Sequence, residues 1–338
     1  MIGYIESSSF PVYTYGEMIY KSFYIKWTPS YVSSGTFSVG GRIHNYSDYS
    51  NGVFSEFDGV VIEGDEFGPS TVSITYLETN ITDGEFFGVT MNSLNSAYLP
   101  DCRILGTSSY TTPPHQGGGF AHCTSLSKVS LPVCEVVGGA AFQDCHTLKS
   151  ITLPSCRYVG NGAFNNCSSL SYVNLPVCSY IDGYAFQSCR SLRNIELPQC
   201  ERIEGAAFMW CGFYSISLPM CSYLSGGVFY GCSSLSYIDL PVCEVLDGGV
   251  FRNCNHLSSI VLPVCSSIGP YAFQSCTILK SITLGSTSVC SLANSEVFSN
   301  TDILSYSGSI FVPSSLVSAY KRASGWKFFS DRIYPINN

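Results

Sequence analysis

The chain has 338 residues and a net charge of −8, and charged residues make up 12 % of it, against roughly 25 % in an average globular protein. Ser, Asn, Gly and Tyr must therefore solvate most of the surface. Sixteen Lys plus Arg, with no dense basic cluster, offer no stripe to neutralise phosphates, which excludes a nucleic-acid partner.

No run of about 18 apolar residues occurs, so no membrane-spanning helix is expected. The five His are scattered, and no GxSxG, HExxH or GK[ST] motif is present, so no enzyme signature and no cofactor site is read. The start, "MIGYIESSSFPVYTYGEMIY", lacks the basic and apolar regions of a secretory signal. Two routes remain open: a signal removed from a longer chain, or arrival as part of a virus particle.

Residues 1–71 carry no repeat. "KSFYIKW" (21–27), "GTFSVGGRI" (35–43) and "GVVIEG" (59–64) read as strands, because β-branched and aromatic residues sit between Gly, Ser and Asn turn signals. The segment is a small β-rich module that serves as a cap, or else docks to a cell-surface or virion component.

From Leu99 onward the chain repeats itself. Units aligned on LPxC begin at Leu99, Leu131, Leu153, Leu175, Leu197, Leu218, Leu240 and Leu262, spaced by 22 residues apart from an insertion in the first unit and a one-residue deletion in the unit at Leu197. Each unit reads LxxVxLPxCxxI, then a Gly-containing turn, then AFxxC. The first half matches the leucine-rich-repeat template. One coil cannot bury its own apolar face, so coils stack on a shared core, with parallel strands about 4.8 Å apart. The predicted fold class is an α/β-type solenoid dominated by β, a right-handed leucine-rich repeat with a parallel β-sheet. It fills 72–311 with 22-residue coils, about nine to ten of them. Upstream, "ITYLETNITDGEFF" (74–87) is matched to "IDLPVCEVLDGGVF" (238–251), and Asn80, one place beyond the residue opposite Cys243, is read as the counterpart of the thiol.

Sixteen of the seventeen cysteines fall into two columns. Cys102, Cys134, Cys156, Cys178, Cys200, Cys221, Cys243 and Cys265 follow the strand. The second column, from Cys123 to Cys276, follows the phenylalanine, and Cys290 stands apart. First-column thiols take the place of a buried Asn ladder, as small hydrophobes with a weak S–H donor. Disulfides within a coil would span half a circuit, beyond about 7 Å, and between coils the Cβ vectors run parallel rather than toward each other. No CxxC pair or His-Cys cluster supplies a zinc site. The thiols are therefore read as reduced and buried, with no metal. Phe120, Phe142, Phe164, Phe186, Phe208, Phe229, Phe251, Phe273 and Phe298 recur three residues ahead of the second column, or of Thr301 in the last case, and are expected to stack on the convex side of the core.

"AFQDCHTLKSITLPSC" and its copies resemble the BspA-like subclass of bacterial leucine-rich repeats, whose units read roughly AFxxCxxLxxIxLP. "SIFVPSSLVSAYKRASGWKFFSDRIYPI" resembles the closing segment of that family, including members carried by gut bacteria and their prophages. "LPVCEVV" is a residue shorter than many family units. The resemblance implies a non-enzymatic extracellular recognition or adhesion protein at a bacterial cell surface, whose partner is a protein or glycan on a cell surface. A bacteriophage tail or head-decoration protein, or an inert structural spacer, are the alternative readings.

Alternation along the strands points Tyr172 and Asn174, Asn194 and Glu196, and Tyr237 and Asp239 away from the core. Tyr, Ser and Asn make adaptable contact surfaces, so this face is either the recognition surface or a plain solvated one. The insertion "GTSSYTTPPHQGGG" (106–119) breaks the period, and loops on rigid scaffolds often carry binding. Tyr110 and His115 are its candidate contacts. Residues 312–338 form a C-terminal cap, with a helix around Leu316 to Ala323 entered from Ser as N-cap.

Overall fold

The structure is a computed structural model. It describes residues 96–99, 102–105, 119–305 and 307–336 in full, and by backbone alone the strands between residues 23 and 95. The chain winds into a solenoid of parallel strands, and the LPxC motif explains its pitch. Cys134, Cys156, Cys178, Cys200 and Cys221 each donate their N–H to the carbonyl of the Leu three residues earlier, at 3.2–3.4 Å. Leu-Pro-x-Cys is thus a four-residue turn with Pro second, where its fixed φ is pre-set. That Pro also has no N–H to extend the ladder, so the strand ends there.

The strands ahead of this turn form a first sheet. Ser150–Thr152, Tyr172–Asn174 and Asn194–Glu196 pair in parallel, as do Ser215–Ser217 with Tyr237–Asp239, and Ser259–Leu262 with Ser281–Leu284 and Ser309–Val312. A second sheet lies just beyond the first-column cysteines. It is made of two-residue strands and runs unbroken through ten of them, from Asn80–Ile81 to Ser291–Leu292. The parallel sheet expected from the sequence is thus joined by a second one. The first is interrupted and the second continuous, because CxxI places an outward and an inward residue in register every coil.

Inward residues from all columns meet in one continuous core. The ring centroids of Phe120 through Phe298 stand 5.0–5.6 Å apart with interplanar angles of 3–16°. The shortened coil keeps this register by exchange of one residue. Where other coils have Leu, it has Phe213, fully buried and edge-on to Phe208 and Phe229. The larger ring reaches into space that the missing residue would otherwise leave.

Three local expectations are corrected. The pairing of Asn80 with Ile104 sets Asn80 two residues beyond the position of Cys102. It is a strand residue of the second sheet and not the thiol's counterpart. A single degenerate coil offers no repeat against which to fix the register. Cys290 does not stand apart: it precedes the last second-sheet strand, with its Sγ 3.9 Å from that of Cys265, and so ends the first column. An insertion ahead of it hid this from the spacing. The stretch 35–43 is not one strand but reaches into an antiparallel pair, Thr36–Val39 against Arg42–Asn45.

At the N-terminal side the first sheet continues by strand pairing. Leu94–Tyr98 pairs with Val72–Tyr76, which pairs with Val60–Gly64, which in turn pairs with Phe23–Trp27. At the C-terminal side a six-residue helix, Val317–Arg322, follows a 3-10 turn at Ser314–Leu316, and no side chain caps it. Phe329 meets Phe298 edge-on at 5.3 Å, and Trp326 lies 6.2 Å from it. Cys290 N–H donates to the Tyr320 hydroxyl at 2.9 Å, and Trp326 Nε1 donates to Cys290 O at 2.6 Å. The backbone of the last first-column residue is thereby satisfied. Ile333–Pro335 adds a final parallel strand beside Ser309–Val312.

Candidate functional site

The thiols are structural. All seventeen are free and buried. Each first-column thiol from Cys102 to Cys265 donates to the carbonyl two residues ahead, at 3.2–3.6 Å. Second-column thiols donate across coils: Cys145 to Phe120 O, Cys167 to Phe142 O and Cys189 to Phe164 O, at 3.0–3.1 Å. Burial pushes the thiols of Cys156, Cys200, Cys221, Cys232 and Cys276 up to about 12. The Cys290 thiol, which donates toward Cys265, is pushed up by that contact and by burial. A thiol held this far from ionisation is a poor nucleophile and a poor metal ligand. Among the described residues no group of three or more His, Cys, Asp or Glu is placed to hold a metal ion.

The outward face of the first sheet carries six of the candidate binding residues. Val173 and Ile238 turn into the core, so their neighbours on each strand turn out. Tyr172 pairs in register with Ser150 and Asn194, and Asn174 with Thr152 and Glu196. The Tyr172 hydroxyl donates to Glu196 Oε1 at 2.9 Å, and that bond holds its proton above the ordinary tyrosine range. One sheet segment further on, Ser215 and Ser217 pair with Tyr237 and Asp239, and Ser217 Oγ donates to Asp239 Oδ2 at 2.9 Å. The Asn174 side-chain oxygen is buried and has no partner among the described residues. Tyr237 is 60 % exposed, so its ring is presented rather than packed. Tyr110 and His115 lie outside the described residues.

The outward face of the second sheet is a row that sequence reading missed. Tyr158 and Tyr180 stack at 5.5 Å and 11°, and the Arg202 guanidinium lies 5.0 Å over the Tyr223 ring. Each phenol reaches a carboxylate one coil on: Tyr158 to Asp182 at 2.9 Å, Tyr180 to Glu204 at 3.1 Å and Tyr223 to Asp247 at 3.4 Å. Burial, with the neighbouring Glu204 carboxylate, pushes the Tyr180 hydroxyl up to about 12. Asp182 and Asp247 also accept from the backbone of their own turns, from Gly183 N and Gly248 N at 2.7 Å. This row stitches coils together. Its signal was the Cys-x-Tyr spacing at Cys156, Cys178 and Cys221.

These coils are those of a known family. The family model of the BspA-type leucine-rich repeat region matches residues 117–219 and 201–323, in six copies. The chain belongs to the BspA-type leucine-rich repeat family. Among solved structures it is similar to a leucine-rich repeat protein of Bacteroides ovatus, at 18 % identity over 83 % of this chain and 99 % of that one, with a TM-score of 0.32. It is similar to a leucine-rich cell surface protein of Faecalibacterium prausnitzii, at 20 % identity over 78 % and 97 %, with a TM-score of 0.36. It is also similar to the pneumococcal vaccine antigen PcpA, at 15 % identity over 94 % and 90 %, with a TM-score of 0.38. Likenesses this distant carry no argument about a ligand. No curated protein matches the chain in sequence. Family membership suggests a protein-binding or adhesion role, of a kind that is typically non-enzymatic. Among the described residues no helix is long and apolar enough to cross a membrane.

Proposed function

We propose that this chain is a non-enzymatic recognition protein that adheres to a host protein through the outward rows of its first sheet. The supporting observation is the pre-arranged polar network on that face. Tyr172 and Ser217 spend their hydroxyls on Glu196 and Asp239 of the neighbouring coils, so two carboxylates and the Tyr172 ring are held in place before a partner arrives. Ordering such side chains in advance lowers the entropy cost of association, and a stacked solenoid presents them over an extended area. The insertion that carries Tyr110 and His115 is a second proposed contact, and residues 1–71 and 312–338 are proposed as end caps.

The test is a binding panel of host matrix proteins and mucins on the full chain, repeated with a Y172S/E196S/Y237S/D239S variant. All four changes replace outward side chains, so circular dichroism should show the fold retained. A loss of at least tenfold in affinity for a captured protein is expected. Unchanged affinity in that variant would place the contact elsewhere and overturn the assignment. Deleting 108–117 without loss would remove Tyr110 and His115 from it.

A further inference from the structure

The turns that follow the phenylalanine column share one backbone demand. Their third residue is left-handed, and it is a small polar residue in Asp144, Asn166, Ser188, Asn253 and Ser275, with φ of 59–64°. Such residues tolerate this conformation, which costs other L-residues roughly 1–2 kcal/mol. Trp210 occupies the same position at φ 60°. Its indole is 40 % exposed, so core packing does not account for the choice. The next coil accommodates it: Gly231 stands where the other coils have a side chain, and a Cβ there would lie 2.7 Å from the indole Nε1.

Three further side chains on successive coils extend this spot. Tyr230 meets the indole edge-on at 6.3 Å and 74°. The Arg252 guanidinium lies over the rings of both Tyr230 and Tyr271, at 5.6 and 5.9 Å, and forms no ion pair among the described residues. The Glu296 carboxylate beside Tyr271 holds that phenol above the ordinary tyrosine range. At one coil per strand spacing the strip is ~15 Å long. A guanidinium stacked on aromatic rings keeps its planar N–H fork free for a carboxylate. The indole beside it offers an apolar face of the kind on which the C–H face of a pyranose stacks.

We infer that the strip Trp210–Tyr230–Arg252–Tyr271 binds a glycan bearing a sugar carboxylate, with a pyranose on the indole and the carboxylate on Arg252. This surface is separate from the first-sheet face, so it stands or falls independently of the host-protein reading. The test is saturation-transfer NMR and titration of the full chain with 3′-sialyllactose, trigalacturonate, lactose and a tetraglutamate peptide. At least one acidic sugar should bind at least tenfold more tightly than lactose, and which one does so distinguishes a terminal sialic acid from a uronate chain. W210N gives this coil the residue that Asn166 and Asn253 carry at the same position, so the fold is kept, and binding should be lost. R252Q should weaken the acidic sugar at least tenfold and leave lactose unchanged. The inference is overturned by no binding of either acidic sugar at millimolar concentration, or by lactose or tetraglutamate binding as tightly. Parent-like binding by W210N or R252Q also overturns it.

Discussion

The Sγ of Cys167 donates to the carbonyl of Phe142, one coil earlier, at 3.0 Å. The same carbonyl accepts the N–H of Cys145 at 3.2 Å. One buried oxygen thus ties together a turn and the coil stacked on it, and the side chain needed is small, apolar and a donor. Replacing Cys167 by Ala removes the donor and leaves a small void, so a loss of about 1–2 kcal/mol is expected. Cys167→Ser keeps a donor and should lose less. Urea unfolding of the two variants checks the order; an Ala variant as stable as the parent would show that the S–H bond contributes nothing.

The thiols also predict a stability profile with pH. Free Cys ionises near 8.5, while burial in the fold holds Cys156, Cys200, Cys221, Cys232 and Cys276 up to about 12. The folded value lies above the unfolded one, so the unfolded chain releases protons first as pH rises. This contribution is therefore complete below about 8.5 and is lost progressively up to the folded value of about 12. The urea midpoint should hold steady near neutrality and fall steeply above about pH 8.5. Native protein at pH 8 should react with few equivalents of a thiol reagent, and unfolded protein with all seventeen. A flat alkaline limb would contradict the burial.

What could be read in the sequence follows from what repeats. The LPxC turn, the two thiol columns and the Phe stack recur every coil, so each inward position is stated many times over and one-residue irregularities average out. The second sheet escaped notice because Val136–Val137 and Tyr180–Ile181 are strands of two residues, too short for alternation to register. Asn80 was misplaced because its coil has no close copies. Trp210 and Gly231 could not be seen as a pair, since their relation depends on a left-handed turn and on contact between coils. On the candidate face, alternation alone named Tyr172 and Asp239, while the bonds from Tyr172 to Glu196 and from Ser217 to Asp239 required the register.

The shortened coil makes a prediction of its own. Phe213 fills a Leu position and a deletion at once, with its ring between Phe208 and Phe229. Phe213→Ala should cost about 3–5 kcal/mol by leaving a cavity in the middle of the stack. Phe213→Leu restores the residue type of the other coils but not the missing backbone, and should still cost about 1 kcal/mol. Thermal unfolding followed by circular dichroism separates the two, and a Leu variant more stable than the parent would mean that the ring is not compensating for the deletion.

Tyr180 tests whether the second-sheet row holds coils together. Its hydroxyl reaches Glu204 on the following coil at 3.1 Å, while its ring stacks on Tyr158. Tyr180→Phe keeps the ring and deletes the bond, at a cost expected to be modest because the ring is only half-buried. Contacts in a solenoid run between neighbours, so their loss weakens one interface rather than the whole chain. Amide hydrogen exchange should therefore rise around 180–204, with residues beyond Ser259 unchanged. Uniformly faster exchange along the whole solenoid would show that the coils unfold as one unit and that the phenol–carboxylate bonds do not set local interface strength.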